Sequence, residues 1–83
     1  MPAGEGDVPL LVPKLGLAMT EATLLHWLAD EDAVVAAGEP IYVIETDKVE
    51  SEVAAPAAGR LRRVGNEGAT YQVGEPVGWL VSD

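Results

Sequence analysis

Apolar residues in this chain come in short runs, each stopped within a few positions by a turn residue. The segments 10–12, 23–29, 34–35, 41–45, 50–54, 60–64 and 77–81 read as candidate strands. Between them stand Pro13, Gly16, Gly38-Glu39-Pro40, Pro56, Gly59, Gly65-Asn66-Glu67-Gly68 and Gly74-Glu75-Pro76. Nine glycines and six prolines at this spacing predict an all-β sandwich or barrel. One stretch competes. Residues 18–29 also fit a helix, because Thr23-Leu24-Leu25-His26-Trp27-Leu28 is ambiguous by period alone. Strand is the preferred reading, since the matching stretch in the second half of the chain is flanked by Gly59 and Gly65.

That match belongs to an internal repeat. Shifted by 36 residues without gaps, positions 18–44 agree with positions 54–80 at eight of 27 places. Chance in an Ala-rich chain gives roughly two or three. Ala22 falls on Ala58, Leu25 on Leu61, Glu31 on Glu67, Ala33 on Ala69, and Gly38-Glu39-Pro40 on Gly74-Glu75-Pro76. Two copies are too few for a solenoid. Two sheets related by a pseudo-two-fold axis, each half supplying similar strands to one core, are the simpler solution.

The polar break at Glu45-Thr46-Asp47-Lys48-Val49-Glu50 separates two apolar stretches, 41–44 and 53–55, and so predicts a hairpin with Lys48 at its tip. Thr46 and Asp47 are turn formers. The chain has two lysines, Lys14 and Lys48. A lone lysine at a hairpin tip is exposed and chemically addressable, and the pseudo-two-fold sets it at the end of the sandwich away from both termini. Glu45, Glu50 and Glu52 surround the amine with negative charge, which favours its protonated form and argues against a Schiff-base or general-base lysine. An ordinary turn lysine is the bland alternative.

Composition narrows the chemistry further. At 83 residues this is one small domain, with residues 1–7 a disordered lead-in and 8–81 the folded unit. Without cysteine it has no disulfide, no thiol chemistry and no Cys-based zinc site, and a single histidine, His26, excludes a His-rich metal centre. Fourteen acidic residues against five basic ones give a net charge of −9. That disfavours nucleic acid and anionic membranes and favours basic protein partners. No apolar run approaches the roughly 20 residues of a membrane span. A native start at Met1, with no Lys or Arg in the first seven residues, implies a cytoplasmic (bacterial) protein; for an excised piece the mitochondrial matrix remains open.

The remaining polar residues read structurally. Glu45/Asp47 and Glu50/Glu52 are each two apart, so each pair would share a strand face; a solvated acidic hairpin is preferred to an acid–base pair. His26 reads as a half-exposed structural histidine, and Trp27 and Trp79 as core or core-edge aromatics. Arg60-Leu61-Arg62-Arg63 forms a basic patch on one strand, read as a solvent face, with a weak docking role the alternative. No Walker A motif, dinucleotide fingerprint or nucleophile elbow is present.

Over residues 8–81 the chain resembles the lipoyl domain of the dihydrolipoamide acyltransferase component of 2-oxo acid or acetoin dehydrogenase complexes. The residues that carry the resemblance are Pro13-Lys14-Leu15-Gly16, Met19-Thr20-Glu21, Trp27, Gly38, Ile44-Glu45-Thr46-Asp47-Lys48, Ala55-Pro56, Gly59 and Val73-Gly74. The Glu-Thr-Asp-Lys block is the most specific of them. Departures fall at turns: Ala22 stands where the family often has glycine, and Asp32-Ala33 where it usually has Gly-Asp.

The resemblance implies a flattened barrel of two four-stranded antiparallel sheets, with lipoate amide-linked to Lys48 and no catalytic residue in the domain. Thr46, Asp47 and Val49 would serve hairpin recognition by a lipoate ligase or lipoyl transferase. Lys14, Leu15, Gly16, Glu45 and Glu50 would serve partner recognition, the loop from Lys14 to Thr20 lying beside the hairpin. The implied partners are a thiamin-diphosphate-dependent component that loads the arm, an acyltransferase catalytic domain, and dihydrolipoyl dehydrogenase. The isolated domain is expected to be monomeric. A biotinyl carrier is the nearest alternative, but that sister family flanks its lysine with methionines, whereas Asp47 and Val49 stand here. The glycine-cleavage carrier is longer and has extra helical elements. An unmodified β docking module is the alternative of another class, and an enzyme using His26 with carboxylates the least favoured.

Overall fold

The computed structural model describes residues 8–14, 16 and 18–81, which form eight β-strands and no helix. The strands are β1 (Val8–Leu11), β2 (Glu21–Trp27), β3 (Val34–Val35), β4 (Pro40–Glu45), β5 (Glu50–Ala54), β6 (Gly59–Arg63), β7 (Thr70–Gln72) and β8 (Pro76–Val81). They build two four-stranded antiparallel sheets, ordered β1-β8-β6-β3 and β5-β4-β2-β7. The flattened sandwich expected from the sequence is therefore present, and residues 21–27 are strand, not helix. The expected lead-in, residues 1–7, lies outside the described residues.

The repeat explains the topology. Advanced by 36, β3 lands on the first two residues of β7, and β4 lands on β8. Read across the sheets, β1, β8, β6 and β3 take the places of β5, β4, β2 and β7. The apolar positions follow: Ile41 and Val77 are both fully buried, as are Ile44 and Leu80. β7 is the strand that the apolar pattern misses. Thr-Tyr-Gln contains one half-buried residue between two exposed ones, so no apolar run marks it.

The gapless alignment is off by one residue in β2. The β2–β4 ladder slips between Leu24 and His26, an irregularity that sets one extra residue, Leu25, into the strand. The residue matching Leu61 is therefore Leu24, not Leu25. Leu24 donates its N–H to the Ala69 carbonyl at 2.9 Å and accepts from Gly68 N–H at 2.7 Å. Leu61 makes the same two bonds to Ala33 and Asp32, each 2.8 Å long. Leu24 and Leu61 are both buried, while Leu25 is only half-buried.

The Gly-Glu-Pro turns repeat bond for bond. Gly38 and Gly74 adopt φ of 87° and 89°, a left-handed conformation that costs a side chain dearly and glycine little. Their N–H groups reach the carbonyls of Ala55 and Val12 at 2.8 and 2.9 Å. The carboxylates of Glu39 and Glu75 accept from the backbone N–H of Ala36 and Gln72, both at 3.0 Å. These devices fix where β4 and β8 begin, and hence where β4 delivers the lysine hairpin.

Halfway along the sandwich the two halves differ. Tyr42, buried in β4, matches Gly78 in β8. Trp27 packs into the space that Gly78 leaves open, where a Cβ would come within 3.1 Å of the indole and 2.6 Å of the Arg62 carbonyl. The Trp27 and Tyr42 rings are tilted at 55° with centroids 5.3 Å apart. The indole N–H donates to the Gly65 carbonyl at 3.1 Å. Both tryptophans sit as expected, Trp27 in the core and Trp79 at its edge, but His26 is exposed rather than half-exposed.

Register also locates the ends. The segment leading into β8 bonds to Thr20 and Val12, through the N–H groups of Val73 and Gly74. Thr20 abuts β2, whose Thr23 faces Glu45 at the foot of the lysine hairpin. β8 thus starts near the lysine end and runs away from it, finishing where Val8 pairs with Leu80. Both ends of the described chain lie at the far side from Lys48.

Candidate functional site

β4 and β5 are joined by four residues, Thr46 to Val49, with Glu45 and Glu50 facing each other in the last register pair. The turn is closed by the Thr46 N–H donating to the Val49 carbonyl at 2.8 Å. The Thr46 side chain then folds over the turn. Its Oγ1 accepts from the backbone N–H of Lys48 at 3.3 Å and of Val49 at 3.2 Å. Short hydroxyl side chains do this readily, which is why they favour turns over strand interiors.

Lys48 is exposed, and among the described residues its ammonium makes no hydrogen bond or ion pair. Glu45, Glu50 and Glu52, the carboxylates expected around it, form no ion pair with it among the described residues. Arg62, on the other sheet, pairs with Asp32 at 2.7 Å and with Glu31 at 3.6 Å. Asp47 lies in the loop, so it shares no strand face with Glu45 as the two-residue spacing suggested. Glu50 and Glu52 do share the outer face of β5.

Beside the hairpin runs a groove of about 750 Å³. Gly16 and residues 18–23 form one wall, residues 46–49 the other, and Thr70 lies along it. Of the expected recognition residues, Thr46, Asp47, Lys48, Val49 and Gly16 meet there. Lys14 is exposed but does not line the groove, and Glu45 and Glu50 flank the hairpin base outside it. Leu15 lies outside the described residues. Thr23 and Thr70, whose hydroxyls meet at 3.0 Å, were missed. Thr70 belongs to the strand that lacks an apolar run, and carrying Val34 forward by 36 residues would have found it.

An exposed, unpartnered primary amine beside an open groove suits covalent acylation. Among the described residues no charged or hydrogen-bonding side chain of the groove is buried. Tyr42, whose phenol pKa is held up at about 12 by burial, lies outside the groove.

A family model described as "Biotin-requiring enzyme", the biotin/lipoyl family, matches residues 8–80. The dihydrolipoyllysine-residue acetyltransferase component of the acetoin cleaving system of Cupriavidus necator is 48% identical over 56 residues, 68% of this chain and 15% of that one. The dihydrolipoyllysine-residue acetyltransferase component of the Mycobacterium bovis pyruvate dehydrogenase complex is 40% identical over 74 residues, 88% of this chain and 13% of that one. The succinyltransferase component of the 2-oxoglutarate dehydrogenase complex of Rickettsia felis is 40% identical over 73 residues, 87% and 18% of the two chains. Among solved structures, a single-chain, multi-domain long-chain acyl-CoA carboxylase superposes with a TM-score of 0.78 at 25% identity, covering 100% of this chain and 8% of that one. The chain thus spans less than a fifth of the length of these relatives. With the family model matched across both sheets and the lysine hairpin, this chain belongs to the biotin/lipoyl domain family.

Proposed function

We propose that this chain is a lipoyl carrier domain, modified on Lys48 and itself without catalytic activity. The observation that carries the reading is the Lys48 amine: exposed, without a partner among the described residues, and raised on a closed turn at the end of the sandwich away from both ends of the described chain. Lipoate attached there would supply the dithiolane redox and acyl-carrying chemistry that a chain without cysteine lacks. The chain's own residues do three things. The β4–β5 ladder holds the hairpin out from the body of the domain. The turn aims the amine at solvent. The acidic, exposed Asp47 and Glu50 keep the tip hydrated and offer contacts to a modifying enzyme.

The relatives named as dihydrolipoyllysine acyltransferase components support a place in a complex of that type. There the domain would visit a thiamin-diphosphate-dependent component, the acyltransferase catalytic domain and dihydrolipoyl dehydrogenase, and its tether would raise the local concentration of the arm at each site. A lipoate ligase or lipoyl transferase would load it.

Biotin is the second reading, supported by the family's description and the carboxylase likeness. The lipoyl reading is preferred because Asp47 and Val49, not methionines, flank Lys48. Intact mass and peptide mapping after incubation with lipoate ligase, lipoate and ATP, and separately with biotin ligase, biotin and ATP, decide between them. A single lipoyl adduct on Lys48 with Lys14 untouched is expected. A biotinyl adduct alone reverses the choice, and no adduct on folded protein leaves the unmodified docking module.

A further inference from the structure

Resting on the lipoyl reading, we infer that the Thr46 hydroxyl is the positioning residue for Lys48 modification: it fixes the backbone that aims the amine. The Lys48 side chain touches no acceptor among the described residues, so nothing beyond its Cα holds it in place. Its direction is set by the peptide units on either side. Outside the strand ladder, the Lys48 N–H has one acceptor, the Thr46 Oγ1 at 3.3 Å, and the Val49 N–H has the same one at 3.2 Å. A single backbone bond, Thr46 N–H to the Val49 carbonyl, closes the loop beneath them. Removing the hydroxyl leaves two adjacent N–H groups to water and frees the two peptide units that carry the lysine.

The consequence falls on the acylation step. The unprotonated Nζ attacks the acyl carbon of lipoyl adenylate. The C–N bond forms, the bond from that carbon to the phosphate oxygen breaks, AMP leaves, and the amine surrenders a proton to solvent or the ligase. The ligase must receive the amine at one distance and angle, so a turn that spends less time in the productive geometry loads more slowly in proportion. Two neutral hydrogen bonds correspond to roughly a tenfold change in the turn's population. The hairpin stands clear of the core, so global stability stays nearly unchanged.

The test compares wild type, Thr46→Val and Thr46→Ser. Valine keeps the size and β-branching and deletes the hydroxyl; serine keeps the hydroxyl and deletes the methyl. Initial rates of lipoyl incorporation are followed by intact mass with lipoate ligase, lipoate and ATP, at domain concentrations below KM, alongside thermal melts and amide hydrogen exchange at Lys48 and Val49. Thr46→Val is expected to melt like wild type, to lose about tenfold in kcat/KM, and to exchange the Lys48 and Val49 amides faster. Thr46→Ser is expected to restore both rate and protection. Equal loading of Thr46→Val and wild type overturns the inference alone, as does a Thr46→Ser as slow as Thr46→Val, which would point to the methyl contact. A wild type that loads no lipoyl group overturns the function and this inference with it.

Discussion

The Glu67 carboxylate accepts the backbone N–H of Trp27 at 2.8 Å, across from one half of the repeat into the other. Thirty-six positions earlier, Glu31 accepts the N–H of Arg63 at 2.6 Å. Arg63 and Trp27 are themselves related by that same shift, and the Arg63 guanidinium lies 5.4 Å from the indole centroid. Each half thus ends its long strand on a glutamate from the other half's turn, a reciprocal clamp that one repeat alone has no means to form.

Deleting one clamp leaves a backbone donor next to the buried Trp27 without a partner. Glu67→Ala is expected to lower unfolding free energy by about 1–2 kcal/mol, and Glu67→Gln, which keeps a carbonyl acceptor, by less. Glu31→Ala should cost less than Glu67→Ala, because Arg63 is exposed and water replaces the lost acceptor. Urea unfolding of the three variants gives the order.

The glycines divide into two kinds by what surrounds them. Gly78 is in extended backbone but has no room: a Cβ there would sit 2.6 Å from the Arg62 carbonyl. Gly74 has open space but a φ of 89°. Gly78→Ala is expected to cost about 3 kcal/mol or more through overpacking against the sheet and Trp27. Gly74→Ala is expected to cost about 1 kcal/mol, the penalty of a left-handed residue. Thermal melts should separate the two by many degrees, with the near-ultraviolet signal of Trp27 perturbed only in Gly78→Ala.

Tyr42 is 1% exposed, and its hydroxyl donates to the Leu11 carbonyl at 3.0 Å. Burial raises its pKa from 10.0 to about 12. The unfolded chain therefore releases this proton at lower pH than the folded one. The stability tied to the neutral phenol is complete below pH 10 and is lost as pH rises from there through about 12. The loss amounts to about 2–3 kcal/mol. Tyr42→Phe should cost about 1 kcal/mol at neutral pH and lack this alkaline step. Urea midpoints measured from pH 8 upward, wild type against variant, isolate it from the titration of lysines.

Lys48→Arg keeps an exposed cation at a site with no partner among the described residues to lose, so the melt should match wild type. Loss of all lipoyl incorporation by intact mass is expected, with Lys14 unmodified. Residual loading of the variant would move the attachment site elsewhere.

Much of this molecule was legible in order along the chain. The turns at Gly38-Glu39-Pro40 and Gly74-Glu75-Pro76, the strands on either side of Lys48 and the repeat all come from local patterns: left-handed turns demand glycine, and a half-buried strand needs alternating apolar residues. Three things were hidden because they depend on what lies across a sheet. β7 exists because β2 offers it partners, since Thr-Tyr-Gln has too little apolar character to announce itself. The place of Leu24 in the core follows from a slip in the ladder with β4, and a gapless comparison has no way to register it. The groove beside Lys48 forms because pairing brings residues 18–23, 46–49 and 70 together from three separate stretches. Sequence patterns report what each segment prefers for itself. Register, bulges and concave surfaces arise from pairs of segments, and are settled only when the sheets close.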